Sequence, residues 1–258
     1  MEINESLTAV LAIPAGLIFG SFATVVAHRV PRRESFVAGR SRCPSCGETI
    51  AGYDNIPVVS WLMLRGRCRE CGERISARYP LTELAMAVLF AATVVILGTD
   101  DIAELALGLV FCALLVVVTL TDLERRVIPN AVLLGGAVLA LGILLASDPG
   151  ELGVHVLAGG AAGGALFLVA LAYPRGMGMG DVKLAAVMGL FLGRSVAPAL
   201  LIGFATGAVV GLALIARRGA SARKQAVPFG PFLALGGIVG LWYGNQLVDW
   251  YLSTFFSG

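Results

Sequence analysis

Eight apolar blocks run through this chain, each close to the roughly 20 residues that a helix needs to cross a hydrocarbon layer. They lie at about 7–27, 81–98, 104–121, 131–147, 153–172, 182–198, 199–216 and 231–248. A lipid-embedded backbone must satisfy its own polar groups, so blocks of this length fold as helices or not at all. Only 14% of the 258 residues are charged, against about a quarter in soluble domains. The weakest boundary falls at Gly193–Pro198, between the sixth and seventh blocks. Glycines four apart, Gly203, Gly207 and Gly211, predict close helix packing there.

Charge sets the orientation. Lys and Arg are retained on the cytoplasmic side of a membrane. With the N-terminus outside and eight alternating spans, 18 of the 19 basic residues fall inside, and only Arg194 falls outside. The outer turns, "GTDDIAE" and "SDPGE", are acidic. The first block follows an acidic flank, "MEINES", rather than a basic leader region, and is expected to be a retained span.

One stretch is polar. Residues 28–79 hold ten arginines and five acidic residues in the first cytoplasmic loop. Within it "CPSCG" and "CRECG" place Cys43, Cys46, Cys68 and Cys71 as two C-x-x-C knuckles, 21 residues apart. Four thiolates so spaced suit a closed tetrahedral zinc site, and the reducing cytoplasm disfavours disulfides. A closed site has no open position for catalysis, so this zinc is expected to be structural. Cys112, inside a span, is expected to be packing.

Two aspartates stand at span ends on one membrane side. Asp122, in "TLTDLERRVIPN", closes the third span; Asp181, in "GMGMGDVKL", opens the sixth. Ionisable groups at such depth are costly and often functional. The glycines before Asp181 permit irregular backbone beside a cavity. A carboxylate pair can share a proton, one member activating water while the other protonates a carbonyl. Helix dipoles favour charge at Asp181, so the shared proton is expected on Asp122 if the helix ends there. Lys183 is expected to reach toward lipid phosphate, His28 to be interfacial or structural rather than a base, and His155 to lie near the outer face.

"GMGMGDVKL", "DLERRVIPN", "GSFATVVAHRVP", the two knuckles, "NIPVVSWLMLRGRCRECGERISARYPLTEL" and "PFGPFLALGG" together resemble the type IV prepilin peptidase (leader peptidase) family. The likeness covers most of the chain in the family's order. It implies a GxGD-type aspartic endopeptidase of the bacterial inner membrane, cutting the basic leaders of prepilins and pseudopilins at the cytoplasmic face. Asp122 and Asp181 would be the catalytic pair, with Gly178 and Gly180 completing the GxGD. In bifunctional members the cysteine-bearing domain accompanies N-methylation by S-adenosylmethionine, and the resemblance points to Gly66 and Arg67 for that cofactor. No G-x-G-x-x-G follows a strand here. Thr24 stands where the family commonly has asparagine.

The expected architecture is an all-α polytopic membrane protein of about eight transmembrane helices with a small zinc-binding cytoplasmic insert. Its parts are a first span (1–27), the insert (28–79) and a peptidase core (80–258). Expected partners are prepilins or pseudopilins and membrane lipids, with no nucleic acid. Two alternatives use the same aspartates. A presenilin-like intramembrane protease would not explain the knuckles and "PFGPF". A proton-coupled transporter should show inverted repeats, and comparing the two halves reveals none.

Overall fold

The computed structural model describes residues 2–36, 39–174, 176–218 and 227–256. Arg175, Arg223 and Lys224, three of the basic residues assigned to the inner side, lie outside the described residues. Among those described, the helices are α1 (Glu2–Arg29), α2 (Val59–Met63), α3 (Arg78–Leu97), α4 (Ile102–Arg125), α5 (Asn130–Ser147), α6 (Leu152–Ala172), α7 (Met179–Leu192), α8 (Val196–Arg218) and α9 (Gly230–Phe255). The described residues hold no strand, only two isolated bridges, Arg42 with Thr49 and Arg67 with Arg74. The fold is thus all-α. Six segments are long and apolar enough to cross a membrane, the last running Met179–Arg217 over the junction of α7 and α8.

The chain divides into two compact units, Met1–Asp100 and Asp101–Gly258. In the first, α1 and α3 lie antiparallel at backbone contact. A Cβ on Gly16 would come 2.5 Å from Ala87 Cα, and one on Gly20 would come 2.6 Å from Glu83 Cα. Between these helices the polar insert folds as two knuckles and the short α2. Arg69 ties them together by a paired hydrogen bond to Asp54, 2.8 and 2.6 Å, and stacks on Tyr53. Thr24 turns its hydroxyl back to the Ser21 carbonyl at 2.7 Å, so this side chain is satisfied within α1.

In the second unit a core forms where Phe111 stacks on Phe191 and where Leu115, Leu184, Met188 and Leu233 are fully buried. Outward positions are equally apolar: Leu157, Leu168, Leu201 and Leu212 are each at least two-thirds exposed. An apolar exterior is what hydrocarbon solvates and water does not.

The directions of these helices can be read from what their glycines touch. Gly230 meets Asp122 and Gly237 meets Leu115, so α9 runs antiparallel to α4. Gly207 meets Phe229 and Gly244 meets Ser195, so α8 also runs antiparallel to α9. Gly237 meets Met188, so α7 climbs alongside α9 from the end where Asp122 lies. The chain therefore reverses between α7 and α8. The device is a short 3-10 turn, Gly193–Ser195, entered through Gly193 at φ +53°, a conformation glycine adopts at no steric cost. Of the three glycines four apart, Gly203 and Gly207 meet α9, while Gly211 faces open space. At 14 residues α7 spans only about 21 Å, so the irregular "GMGMG" backbone completes its path.

Candidate active site

Four helix ends meet at one end of the second unit. α4 does not stop at Asp122; it continues to Arg125 and closes on Arg126, a left-handed C-cap whose N–H donates to the Asp122 carbonyl at 2.9 Å. Three residues on, Pro129 caps α5 from extended backbone. This tight turn drives Ile128 inward, where it is buried against Gly180. A Cβ on Gly180 would lie 3.2 Å from Ile128 Cβ, which accounts for the small residue beside the aspartate. Gly178, extended at φ −78° and ψ 142°, caps α7 and receives the Asp181 N–H at 3.1 Å.

Asp122 is buried on α4 and Asp181 half-buried in the first turn of α7. The two carboxylates lie within electrostatic reach of one another. Gly230, the first residue of α9, donates its N–H to Asp122 Oδ2 at 2.8 Å. The amino ends of α7 and α9 both open here, and helix amino ends carry partial positive charge that offsets the burial of carboxylates. Because Oδ2 of Asp122 is already an acceptor, a proton shared by the pair sits on its other oxygen or on Asp181. The expectation that Asp122 closes its helix is corrected by the further turn to Arg126. Asp122 still lies in the last turn of α4, so the dipole argument for placing the proton there is weakened by that distance and by Arg125 and Arg126 beyond it.

Sequence reading brought Asp122, Asp181, Gly178 and Gly180 forward, and the fold gathers all four. It missed Gly230 and Ile128. Gly230 acts through its backbone amide, which has no side-chain signature; the clue was a glycine between prolines opening a helix in "PFGPF". Lys183 is exposed and donates to Asn130 Oδ1 at 3.0 Å, tying α7 to the start of α5. His155 binds the Leu190 carbonyl through Nδ1 and packs on Gly193, at the end of α7 away from Asp181. Cys112 is wholly buried in α4.

The other unit holds the cysteines. Cys43, Cys46, Cys68 and Cys71 place their sulfurs within 4.8 Å of one another, with no disulfide among them. Cys43 and Cys71 sulfurs are 3.8 Å apart. Metal–sulfur bonds of about 2.3 Å at tetrahedral angles require S···S edges of about 3.8 Å. The two knuckles repeat one another. Cys43 N–H reaches the Glu48 carbonyl and Gly47 N–H that of Cys43; Cys68 and Gly72 do the same with Glu73 and Cys68. Gly47 and Gly72 share φ +73°. Backbone amides of Cys46 and Ser45 lower the Cys43 thiol to about 6, while burial and the neighbouring sulfurs push Cys71 up to about 12, so the crowded sulfurs do not all ionise together without a cation. The donor set fits a metal ion.

Gly66 and Arg67 do not lie among these ligands. They line a separate cavity of about 500 Å³ in the insert, with Trp61, Arg65 and Arg74. Gly66 sits at φ +66° with the Trp61 ring where a Cβ would be. Trp61 Nε1 donates to the Ile75 carbonyl, and Ile75 N–H to that of Gly66.

Taken together, these features define a polytopic helical membrane protein with an aspartate pair, one buried and one half-buried, at converging helix ends and a four-cysteine cluster in its other unit. Comparison with known proteins agrees along nearly the whole chain. The bacterial peptidase A24 N-terminal domain matches residues 15–97, and the type IV leader peptidase family matches residues 109–212. The prepilin leader peptidase/N-methyltransferase of Bacillus subtilis (strain 168) is 38% identical over 240 residues, covering 92% of this chain and 95% of the relative. That of Aeromonas salmonicida (strain A449) is 36% identical over 273 residues, with 92% and 91% coverage. That of Burkholderia pseudomallei (strain 1026b) is 35% identical over 267 residues, with 91% and 85% coverage. No solved structure matches this chain. The chain belongs to the type IV leader peptidase family.

Proposed function

We propose that this protein is a membrane aspartic endopeptidase that removes the leader peptide of prepilins and pseudopilins and then N-methylates the new amino terminus. The carrying observation is the meeting of Asp122 and Asp181, from separate helices, with Gly230 N–H on the first. The relatives' shared name supports the substrate and both activities. The presenilin-like and transporter readings are not favoured.

The pair needs no nucleophilic side chain. One carboxylate takes a proton from water as the water oxygen attacks the scissile carbonyl. The other, protonated, gives its proton to the carbonyl oxygen. Collapse of the tetrahedral intermediate breaks the C–N bond, and a carboxyl proton goes to the leaving amine. Gly230 N–H fixes Asp122 on the face that meets its partner.

The four cysteines would hold a structural zinc that fixes the insert's two knuckles. For methylation, S-adenosylmethionine would supply an electrophilic methyl group when bound. Gly66 and Arg67 are the residues proposed to receive it, the guanidinium offering charge to its carboxylate. The setting proposed is the bacterial inner membrane, with eight crossings, the N-terminus outside and the active site facing the cytoplasm.

The test is incubation with a prepilin in detergent or vesicles, followed by mass measurement. Expected is a product shortened by its leader, and one methyl heavier once S-adenosylmethionine is added. Asp122→Asn and Asp181→Asn should each lower cleavage by at least about 10²-fold, the smaller end of general acid–base contributions. Near-normal cleavage by either variant would remove the pair from the chemistry.

A further inference from the structure

The insert's surface is more apolar than its charge leads one to expect. Ile56, Val59, Leu62 and Met63 are exposed by 49, 48, 62 and 77%. Three of them, Val59, Leu62 and Met63, stand at i, i+3 and i+4 within α2, the spacing of one helix face, and Ile56 lies in extended backbone just before it. The opposite face of α2 is sealed inward. Ser60 Oγ accepts the Ile56 N–H at 2.9 Å and donates to the Tyr53 carbonyl at 2.9 Å, and Trp61 packs on Gly66. The apolar side is therefore the outer side by construction.

A second observation fixes its depth. Val58 N–H, which leads into α2, donates to Glu83 Oε2 at 2.7 Å. Glu83 is buried in the second turn of α3, its backbone against Gly20 of α1. α2 is thus fastened to the two long apolar helices of its own unit, near the point where α3 begins its apolar run. The third observation is charge. The insert carries ten arginines against five acidic residues, and one of those acids, Asp54, is already held by Arg69.

We propose that α2 is an interfacial helix. Its Val59, Leu62 and Met63 face, together with Ile56 just before it, enters the acyl-chain boundary of the leaflet that α1 and α3 cross. Arg65, exposed at its end, lies with the insert's positive charge among anionic phospholipid headgroups. The occupant of the apolar face is lipid. This inference requires that α1 and α3 cross a membrane; it does not depend on the peptidase chemistry, so either can fail without the other.

The experiment uses the full chain in vesicles of equal phosphatidylglycerol and phosphatidylcholine. A benzophenone-bearing amino acid replaces Met63 in one variant, Leu62 in a second and the exposed Glu70 of the second knuckle in a third. Trypsin digestion matching the parent protein establishes that each has folded. After illumination, mass spectrometry should find lipid adducts on the peptides bearing positions 62 and 63 and none at position 70. Phosphatidylglycerol adducts should outnumber phosphatidylcholine adducts severalfold. Protein-only adducts, or no adduct, at both 62 and 63 would overturn the proposal, as would equal lipid adducts at position 70. Equal yields from the two lipids would overturn the headgroup preference.

Discussion

A methyl group on Gly230 would fall 2.8 Å from Asp122 Oδ2 and 3.1 Å from its Cβ. Those atoms belong to a buried side chain on a packed helix, so the carboxylate or the start of α9 has to shift. Gly230→Ala should therefore lower prepilin cleavage by about 10²-fold, as expected for roughly 1 Å of displacement at reacting groups. The overpacking cost should be about 1–3 kcal/mol, read from a thermal melt. An unchanged rate in the folded variant would show that Asp122 does not need that amide. The contrast with the aspartates shows what a sequence discloses at this scale. Asp122 and Asp181 were legible because carboxylates at the ends of apolar blocks are conspicuous and span parity put both on one side. Gly230 was not, because its contribution is a backbone N–H positioned by a helix start 108 residues away from its acceptor. The proton was expected on Asp122 because the helix was read as ending there; the left-handed cap at Arg126 instead lets α4 run on to Arg125.

Between elements, glycine sets the distances. A Cβ on Gly189 of α7 would lie 2.5 Å from Gly159 Cα and N on α6, so here two backbones touch. Gly160, one residue further along α6, has nothing within 4 Å of such an atom. Gly189→Leu should destabilise the protein by at least about 1–3 kcal/mol. Gly160→Leu, facing open space, should leave the melting temperature essentially unchanged. Equal melting temperatures for both variants would mean α6 and α7 do not pack as described. Most of the long helices were legible from the apolar blocks to within a few residues, but α7 ends six residues before the block that ended at 198, and α9 runs seven residues past the block that ended at 248. The short α2 was not read as a helix, because five residues inside an arginine-rich loop carry too little periodicity to separate from a turn. The knuckles were legible from spacing alone. Replacing Cys43 by Ser should abolish stoichiometric zinc and speed trypsin cleavage within residues 40–78, since a metal supplies much of a small domain's folding free energy. Zinc-free protein isolated without chelators would defeat the assignment.

For the molecule as a whole, the count of crossings turns on residues 179–217, which by length and composition alone read as one segment. Thirty-nine helical residues would extend about 58 Å, far beyond the roughly 30 Å of hydrocarbon. The packing of Gly244 on Ser195 and of Gly207 on Phe229 instead folds this stretch back on itself at Gly193. A reversal there would make α7 and α8 two passes, and it returns the chain to the end where α9 opens beside Asp122. Arg194 is an exposed basic residue on that two-helix turn, a weak topological signal against the 18 that the charge reading of the sequence assigns to the other side. The prediction is specific for single cysteines in intact cells treated with a membrane-impermeant maleimide. Positions Asp101, Asp148 and Arg194 should react from outside; Glu34, Tyr173 and Val227 should react only after the membrane is opened. Gly219 lies outside the described residues, so Val227 serves in its place. If α7 and α8 formed one pass, Arg194 would be shielded by lipid and Val227 would be labelled from outside. That pattern would also carry Gly230 to the face opposite Asp122, so the labelling tests the hydrogen bond that joins them as directly as it tests the fold.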